Sequence, residues 1–367
     1  MGFVKICLYN VTSTMDLPGT SEVGGTEEFS FRLAETWQSL GHDVVIVGGE
    51  PRAGASTRPT TVPLRLFPYR ETREIIDLGS RYRKLMQRLH FSRKALRFVR
   101  GGSFDLVIAF KPYDLLPFFL QGVRKRSRVL LRFGGTDFFP TDRWWQGAAH
   151  AFFANSRSTA AKVSLRFGRS CEVIPNGVDL PENPAIVDAG TRTILSAGRL
   201  VAWKGFATLI EAMSPLRSRK NARAVIAGEG EDRPRLQALI EEFGLNEKVS
   251  LPGRMSGEEL QKLMAEGAFY VQPSIGYDSC PNAVMEAMSA GLPVLVSSQV
   301  GRLEGFDPGI HGLVFEAGNH QSLCEPIVRF LDEPAEFARF GAEARKLIHE
   351  RYTLERVAAQ ILELAGK

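Results

Sequence analysis

The 367-residue chain reads as an α/β protein of two similar halves, each a parallel sheet covered by helices. Three observations predict this. Short apolar runs alternate with stretches of helical periodicity along nearly the whole chain, the order expected of repeated β-α-β units. The length suffices for two domains of ordinary size, each with its own core. Between the halves, residues 180–190 contain Pro and Asp but no periodic apolar pattern, which marks an interdomain linker.

In the first half, residues 5–9 (KICLY) form a short strand, followed by a polar loop ending in Gly24-Gly25-Thr26-Glu27. Phe29, Leu33, Ala34, Trp37 and Leu40 recur at helical spacing before Gly41, and residues 44–47 are the next strand. Paired glycines at a helix start admit a ligand close to the backbone, and the helix N-terminus favours negative charge. Residues 51–62, rich in Pro, Gly, Ser and Thr, read as a surface loop. Residues 105–110 form a strand with the loop Lys111–Asp114 at its end. Residues 129–131 form another, delivering the loop from Arg132 to Asp137. Residues 151–156 and 173–179 complete this half, with Asn176-Gly177 as a turn signal.

The second half repeats the style. A strand at 193–197 leads into Gly198-Arg199-Leu200 and Lys204-Gly205, then a helix carrying Phe206, Leu209, Ile210 and Met213. The strand at 224–227 ends in the glycine-rich turn Gly228-Glu229-Gly230. The strand at 249–253 is followed by Arg254 and Met255, and Ser256 with Glu259 forms a capping box for the next helix. Residues 269–271 are a strand that runs into Gln272–Ser297, the stretch around which the chain is organised. There a loop carries Asp278, and a helix beginning near Pro281 or Asn282 carries Glu286. Gly291 ends that helix, and Pro293 opens the next strand. Two carboxylates thus meet one pocket at the C-terminal edge of a strand, where open α/β sheets bind ligands. Residues 336–364 read as terminal helices interrupted near Tyr352-Thr353.

Composition excludes several classes. A hydrophobic content of 44% with 24% charged residues is that of a soluble globular protein. No apolar run approaches the roughly 18 residues that span a bilayer. The N-terminus reads as a buried strand rather than a signal peptide. Cys7, Cys171, Cys280 and Cys324 are widely spaced and read as reduced thiols in a cytosolic protein. Without H-x-x-x-H or D-x-D spacing, no dedicated metal site is expected. Residues 65–128 hold sixteen basic residues against five acids, within a chain of net charge +5. Residues 81–100 alone hold eight basic residues and no acid, beside an apolar stripe of Tyr82, Leu85, Met86, Leu89, Leu96 and Val99. Two readings stay open for that stretch: a helix packed on the sheet with a solvated basic face, or a basic amphipathic helix on an anionic membrane surface. No nucleic-acid motif is present.

From Pro273 through Val294 the chain resembles the retaining glycosyltransferases of family 4. Their pattern there is P-S-x-x-x-E-x-x-P-N-x-x-x-E-A-M-x-x-G-x-P-V, and Asp278 stands where the family usually has Glu. The resemblance extends to G-R-L-x-x-x-K-G from Gly198 to Gly205 and to N-G-V-D at Asn176–Asp179. It implies the GT-B architecture, two Rossmann-like domains facing each other across a cleft. The expected spans are 1–180 for the acceptor and 191–345 for the nucleotide sugar, with the helix 346–367 crossing back. Where many members have H-G-x-D, this chain has Gly134 at the histidine position and Asp137 at the aspartate, which makes Asp137 the candidate contact to the acceptor hydroxyl.

The resemblance implies a hexosyltransferase moving a sugar from a nucleotide-diphosphate sugar to an acceptor hydroxyl, on a glycan, a lipid-linked or a small molecule. Transfer proceeds with retention and with neither metal nor cofactor. Arg199 and Lys204 hold the diphosphate. Glu286 holds the ribose, and Asp278 holds the sugar with help from Pro281 and Asn282. Gly24, Gly25 and Gly228 line the donor site, and Arg254 and Met255 hold the base. The implied location is cytoplasmic, or peripheral at the inner membrane face through residues 81–100. A nucleotide-sugar epimerase and an inactive nucleotide-sugar-binding protein remain as alternatives.

Overall fold

A computed structural model describes residues 2–10, 25–50, 60–68, 76, 78, 80–136, 138–139, 141–181, 193–279, 281–301 and 303–366. In chain order the first elements are β1 (Lys5–Tyr9), α1 (Gly25–Ser39), β2 (Asp43–Gly49), β3 (Leu64–Phe67), α2 (Ser80–Gly101) and β4 (Leu106–Ala109). They are followed by α3 (Leu115–Gln121), β5 (Arg128–Phe133), β6 (Ala151–Ala154), α4 (Arg157–Phe167) and β7 (Glu172–Val173). Then come β8 (Thr193–Ala197), α5 (Phe206–Met213), β9 (Arg223–Ala227), α6 (Arg233–Glu242), β10 (Val249–Gly253), α7 (Gly257–Ala265) and β11 (Phe269–Gln272). The chain closes with α8 (Asn282–Ala290), β12 (Val294–Ser297), β13 (Leu313–Phe315), α9 (His320–Asp332), α10 (Pro334–Arg351) and α11 (Leu354–Gly366).

The strands form two parallel sheets, ordered β3-β2-β1-β4-β5-β6-β7 and β10-β9-β8-β11-β12-β13. The first sheet belongs to a unit running up to Gly177 and including Leu354–Lys367; the second belongs to Val178–Thr353. Both sheets are covered on both faces, so their strands are apolar in continuous runs rather than alternating with polar residues. In β1, Ile6 and Leu8 pack with α1 and α11, while Cys7 and Tyr9 face the opposite cluster under α2. In the second sheet Ile194 joins the cluster of α5 and α9, while its neighbour Leu195 joins that of α8 and α10.

The returning helix α11 is explained by its pattern. Leu354, Val357, Ala358, Ile361 and Leu364 are buried, a stripe at helical spacing. It packs on Phe29, Leu33 and Trp37, and the Trp37 indole donates to the Ala358 carbonyl at 3.3 Å.

Two local expectations change, and the open reading of α2 gains detail. Leu40 falls just beyond α1 in the turn and is half exposed, because the helix stops at Ser39. The loop expected from Arg132 begins later, since β5 continues through Phe133 by pairing Arg132 with Phe153 and Phe133 with Ala154. Arg132 is therefore buried, 4.6 Å from the Phe29 ring centroid, donating to Asn176 Oδ1 at 2.5 Å. Helix α2 packs Phe91, Ala95, Leu96 and Val99 on the sheet, and its Arg88 is buried against Asp114 at 3.4 Å. Arg93, Lys94 and Arg97 are left facing solvent.

Candidate active site

The second sheet has its switch point at β8, where the chain first builds outward to β9 and β10, then reverses to β11 on the other side. The helices that follow β8 and β11, α5 and α8, therefore cover opposite faces of the sheet, and the crevice at such a point is where doubly wound sheets take ligands. The loops leaving the two strands lock together. Ile275 and Gly276 both donate to the Trp203 carbonyl at 2.9 Å. Gly205 has φ +69°, and a Cβ there would lie 2.0 Å from the Pro273 carbonyl oxygen; no other residue fits. A Cβ on Gly228, after β9, would similarly come within 1.9 Å of the Gly198 oxygen.

This contact carries Lys204 to Asp278. Its ammonium lies 2.7 Å from Asp278 Oδ2, with side chains 14% and 10% exposed respectively. The same oxygen accepts from the Ser274 hydroxyl at 2.9 Å and, at 3.5 Å, from the Gln272 amide. The Tyr270 hydroxyl lies 2.8 Å from Gln272 Oε1 and 3.0 Å from the Ala197 carbonyl, its single proton available to either, and it accepts from the Ala197 amide at 3.1 Å. A chain of hydrogen bonds thus runs from the end of β8 through β11 to the acid. The backbone fixes it too: Asp278 N–H donates to the Gln299 carbonyl, and its own carbonyl accepts from Gly301. All the side-chain donors reach Oδ2; Oδ1 takes no hydrogen bond from the described residues.

Glu286 lies in the second turn of α8 and is half-buried. Burial pushes the Tyr270 phenol above its ordinary range, and the charges of Asp278 and Glu286 push it the same way, so the two acids act on one buried ring. Pro281 takes the N-cap of α8 in extended conformation and offers no side-chain cap. The Val284 and Met285 amides turn back to the Pro281 carbonyl, and the positive end of the helix dipole lies at this first turn. Gly291 ends the helix in the left-handed region at φ +86°. Arg199 is exposed and takes no partner among the described residues. Arg254 is exposed, and Met255 packs beside the cluster holding Val284 and Met285.

Arg199, Lys204, Gly228, Arg254, Met255, Asp278, Pro281, Asn282 and Glu286 thus all belong to the second unit, on the loops and helix starts after its strands. Gly25 belongs to the first unit, as the first residue of α1. Gly24 and Asp137 lie outside the described residues. Sequence reasoning passed over Tyr270, Gln272 and Ser274, although polar groups in an otherwise apolar strand leading into a motif were the available signal.

Two family models together cover residues 23–347: Glycosyltransferase Family 4 over 23–182 and Glycosyl transferases group 1 over 183–347. The chain belongs to the group 1 glycosyltransferases. It is similar to the MMP alpha-(1->4)-mannosyltransferase of Mycolicibacterium hassiacum, 26% identical across 94% of this chain and 95% of that protein. An uncharacterized glycosyltransferase of Methanocaldococcus jannaschii is 32% identical over 47% of this chain. The chain spans 44% of the length of that relative, 44% of an alpha-D-kanosaminyltransferase and 60% of a lipopolysaccharide core glycosyltransferase.

Among solved structures, sucrose-phosphate synthase of Thermosynechococcus elongatus matches with a TM-score of 0.78 at 19% identity, covering 98% of both chains. Anabaena HepE, in complex with UDP-glucose, matches at 0.77 and 18%, covering 99% of both. These matches establish the GT-B glycosyltransferase fold of two Rossmann-like domains. Among the described residues, no helix of this group 1 glycosyltransferase is long and apolar enough to cross a membrane.

Proposed function

We propose that this glycosyltransferase moves a hexose from a nucleotide-diphosphate sugar to an acceptor hydroxyl, with retention and without a metal. The observation that carries the reading is the Asp278 carboxylate. One oxygen is fixed by Lys204, Ser274 and Gln272, while the other takes no hydrogen bond from the described residues and is assigned to a sugar hydroxyl. A carboxylate held this way is oriented before the donor arrives.

The diphosphate gains charge as it leaves. Lys204 offers its remaining donors and Arg199 an unpaired fork, and the amides of α8 add the helix dipole. Each well-aimed donor is worth on the order of 3 kcal/mol at the transition state. Glu286 then holds the ribose, Gly228 lets the diphosphate approach the backbone, and Arg254 and Met255 flank the base. By the same resemblance Gly24 and Gly25 line the donor site, and Asp137 contacts the acceptor hydroxyl. Because Asp278 is one methylene shorter than Glu, its sugar contact is displaced or bridged by water. The UDP-glucose held by Anabaena HepE supports the donor class. The mannosyltransferase relative supports a hexose.

The test is thermal stabilisation across uridine-, guanosine- and adenosine-diphosphate sugars, then diphosphate release with and without a chelator. A donor at 100 times its Kd adds about 2.7 kcal/mol to stability. One hit with chelator-insensitive release and retained anomeric configuration, read from the NMR coupling constant, is the expected result. Inversion of the anomeric centre would overturn retention, and isomerisation of the donor without acceptor would overturn transfer.

A further inference from the structure

Trp203 stands one residue before Lys204 and has no part in the donor assignment. The two share the 3-10 turn Ala202–Lys204, closed by the Lys204 and Gly205 amides donating to the Val201 and Ala202 carbonyls. Neighbours on such a turn project about 120° apart, so the local backbone alone does not bring an indole to the ammonium beside it. Yet Lys204 Nζ lies over the Trp203 ring, 4.8 Å from its centroid.

The ring is seated from the other loop. The Trp203 carbonyl accepts from the Ile275 and Gly276 amides, and a Cβ on Gly276 would lie 3.1 Å from Trp203 Cβ and 3.5 Å from its Cε3. Gly276 is not in the left-handed region, so its φ does not call for glycine; what the glycine supplies is room for the indole. Trp203 is nevertheless 38% exposed, where a Trp kept for packing alone is largely buried. The Lys204 stem is guided as well, since a Cβ on Gly198 would lie 4.0 Å from its Cε. Among the described residues, the partners of its ammonium are Asp278 and this ring.

Charge explains why an aromatic face suits this place. A second carboxylate beside Lys204 would hold the cation but repel a diphosphate. An indole face, the strongest of the aromatic side chains, draws a partly desolvated ammonium through its quadrupole and brings no net negative charge.

We propose that Trp203 is a positioning residue of the transfer reaction, holding the Lys204 ammonium between Asp278 and the departing diphosphate. This role rests on Lys204 serving that diphosphate, as proposed above.

The experiment is steady-state release of nucleoside diphosphate by the full chain from UDP-glucose, GDP-mannose or ADP-glucose, whichever the thermal panel selects. Lys204→Met should lower kcat by about a hundredfold or more, the loss of one donor to developing charge. Trp203→Leu should lower kcat about tenfold and leave KM within about twofold, because the aim of Lys204 matters most as charge develops on the leaving group. Trp203→Phe, which keeps a weaker aromatic face, should stay within about threefold of the native chain. In the Lys204→Met background, Trp203→Leu should cost nothing more, since it acts only through that ammonium. Gly276→Ala crowds the ring and touches neither charged group; it should lower kcat about threefold in the native chain and not at all in Trp203→Leu. Should Trp203→Leu melt early, Trp203→Phe and Gly276→Ala carry the same comparison. Native rates in Trp203→Leu would overturn the role. So would a loss of equal size with and without Lys204, which would assign the ring to direct contact with substrate. Native rates in Lys204→Met would instead overturn the assignment of Lys204 to the diphosphate, and this role with it.

Discussion

The Lys204–Asp278 pair lends itself to a double-mutant cycle, because both partners are nearly buried and their other contacts are known. Coulomb's law at an effective dielectric near 20 gives about 6 kcal/mol for unit charges 2.7 Å apart. Desolvation of both ions offsets much of this, leaving a net coupling of about 2 kcal/mol. Lys204→Met strands the carboxylate with only Ser274 and Gln272 as donors. Asp278→Asn keeps the shape and strands the ammonium beside the Trp203 ring, 4.8 Å from its centroid. Each single variant should lose about 3 kcal/mol, since breaking a buried pair leaves an uncompensated charge. At about 2–4 °C per kcal/mol this is a fall of roughly 6–12 °C in Tm. The double variant should lose less than the sum of the singles by about 2 kcal/mol. Thermal and urea unfolding of the four proteins at pH 7 measures this. Additivity within about 0.5 kcal/mol would refute the pair as the lock between the two loops.

Three further outcomes are expected. Gly205→Ala combines left-handed backbone with a Cβ 2.0 Å from the Pro273 oxygen, and should cost about 3 kcal/mol or more in urea unfolding. Gly244→Ala, at φ +63° with open space around it, should cost only about 1–2 kcal/mol; equal losses would show that the loops do not meet there. Asp114 is fully buried, and burial raises its carboxyl to about 6 against the neighbouring charge of Arg88. The native state therefore holds a proton that the unfolded chain has released between about pH 4 and 6. Stability should fall as pH rises through that window, by up to about 3 kcal/mol, and Asp114→Asn should abolish the slope. His150 has the opposite sign: neutral in the fold down to about pH 4, it contributes stability that is lost as pH falls from about 6.5. Its ring resonances should titrate near 4, and titration near 6.5 would mean that burial and the charges of Arg124, Arg128 and Arg169 do not act on the ring.

Much of the molecule was legible in order. β1 and β8 fall on the residues read as strands, and Ser256 with Glu259 forms the expected capping box. Gly291 stops α8 as a left-handed C-cap. These are local decisions, made by apolar period, caps and turn chemistry within a few residues. Among the strands, β3 and β13, with four and three residues, were not anticipated. Both are sheet-edge strands too short to show a period, and they form by pairing with a neighbour already in place.

The sequence alone determined which residue types serve the site: a basic pair after one strand and two acids, one on a loop and one in a helix, after another. Tertiary structure decided how they meet. Sequence could not say that Lys204 would reach Asp278, which is 74 residues away. Nor could it say that Gln272, steadied by Tyr270, and Ser274 would join Lys204 on one carboxylate oxygen. Those outcomes depend on β11 lying beside β8 rather than on the far side of β9, a choice of strand order that no local pattern encodes. The same holds for the eight cations of residues 81–100, one of which, Arg88, is spent inside the fold on Asp114. Local chemistry sets what each residue can do, and the burial and pairing that select among those capacities arise only when distant segments pack.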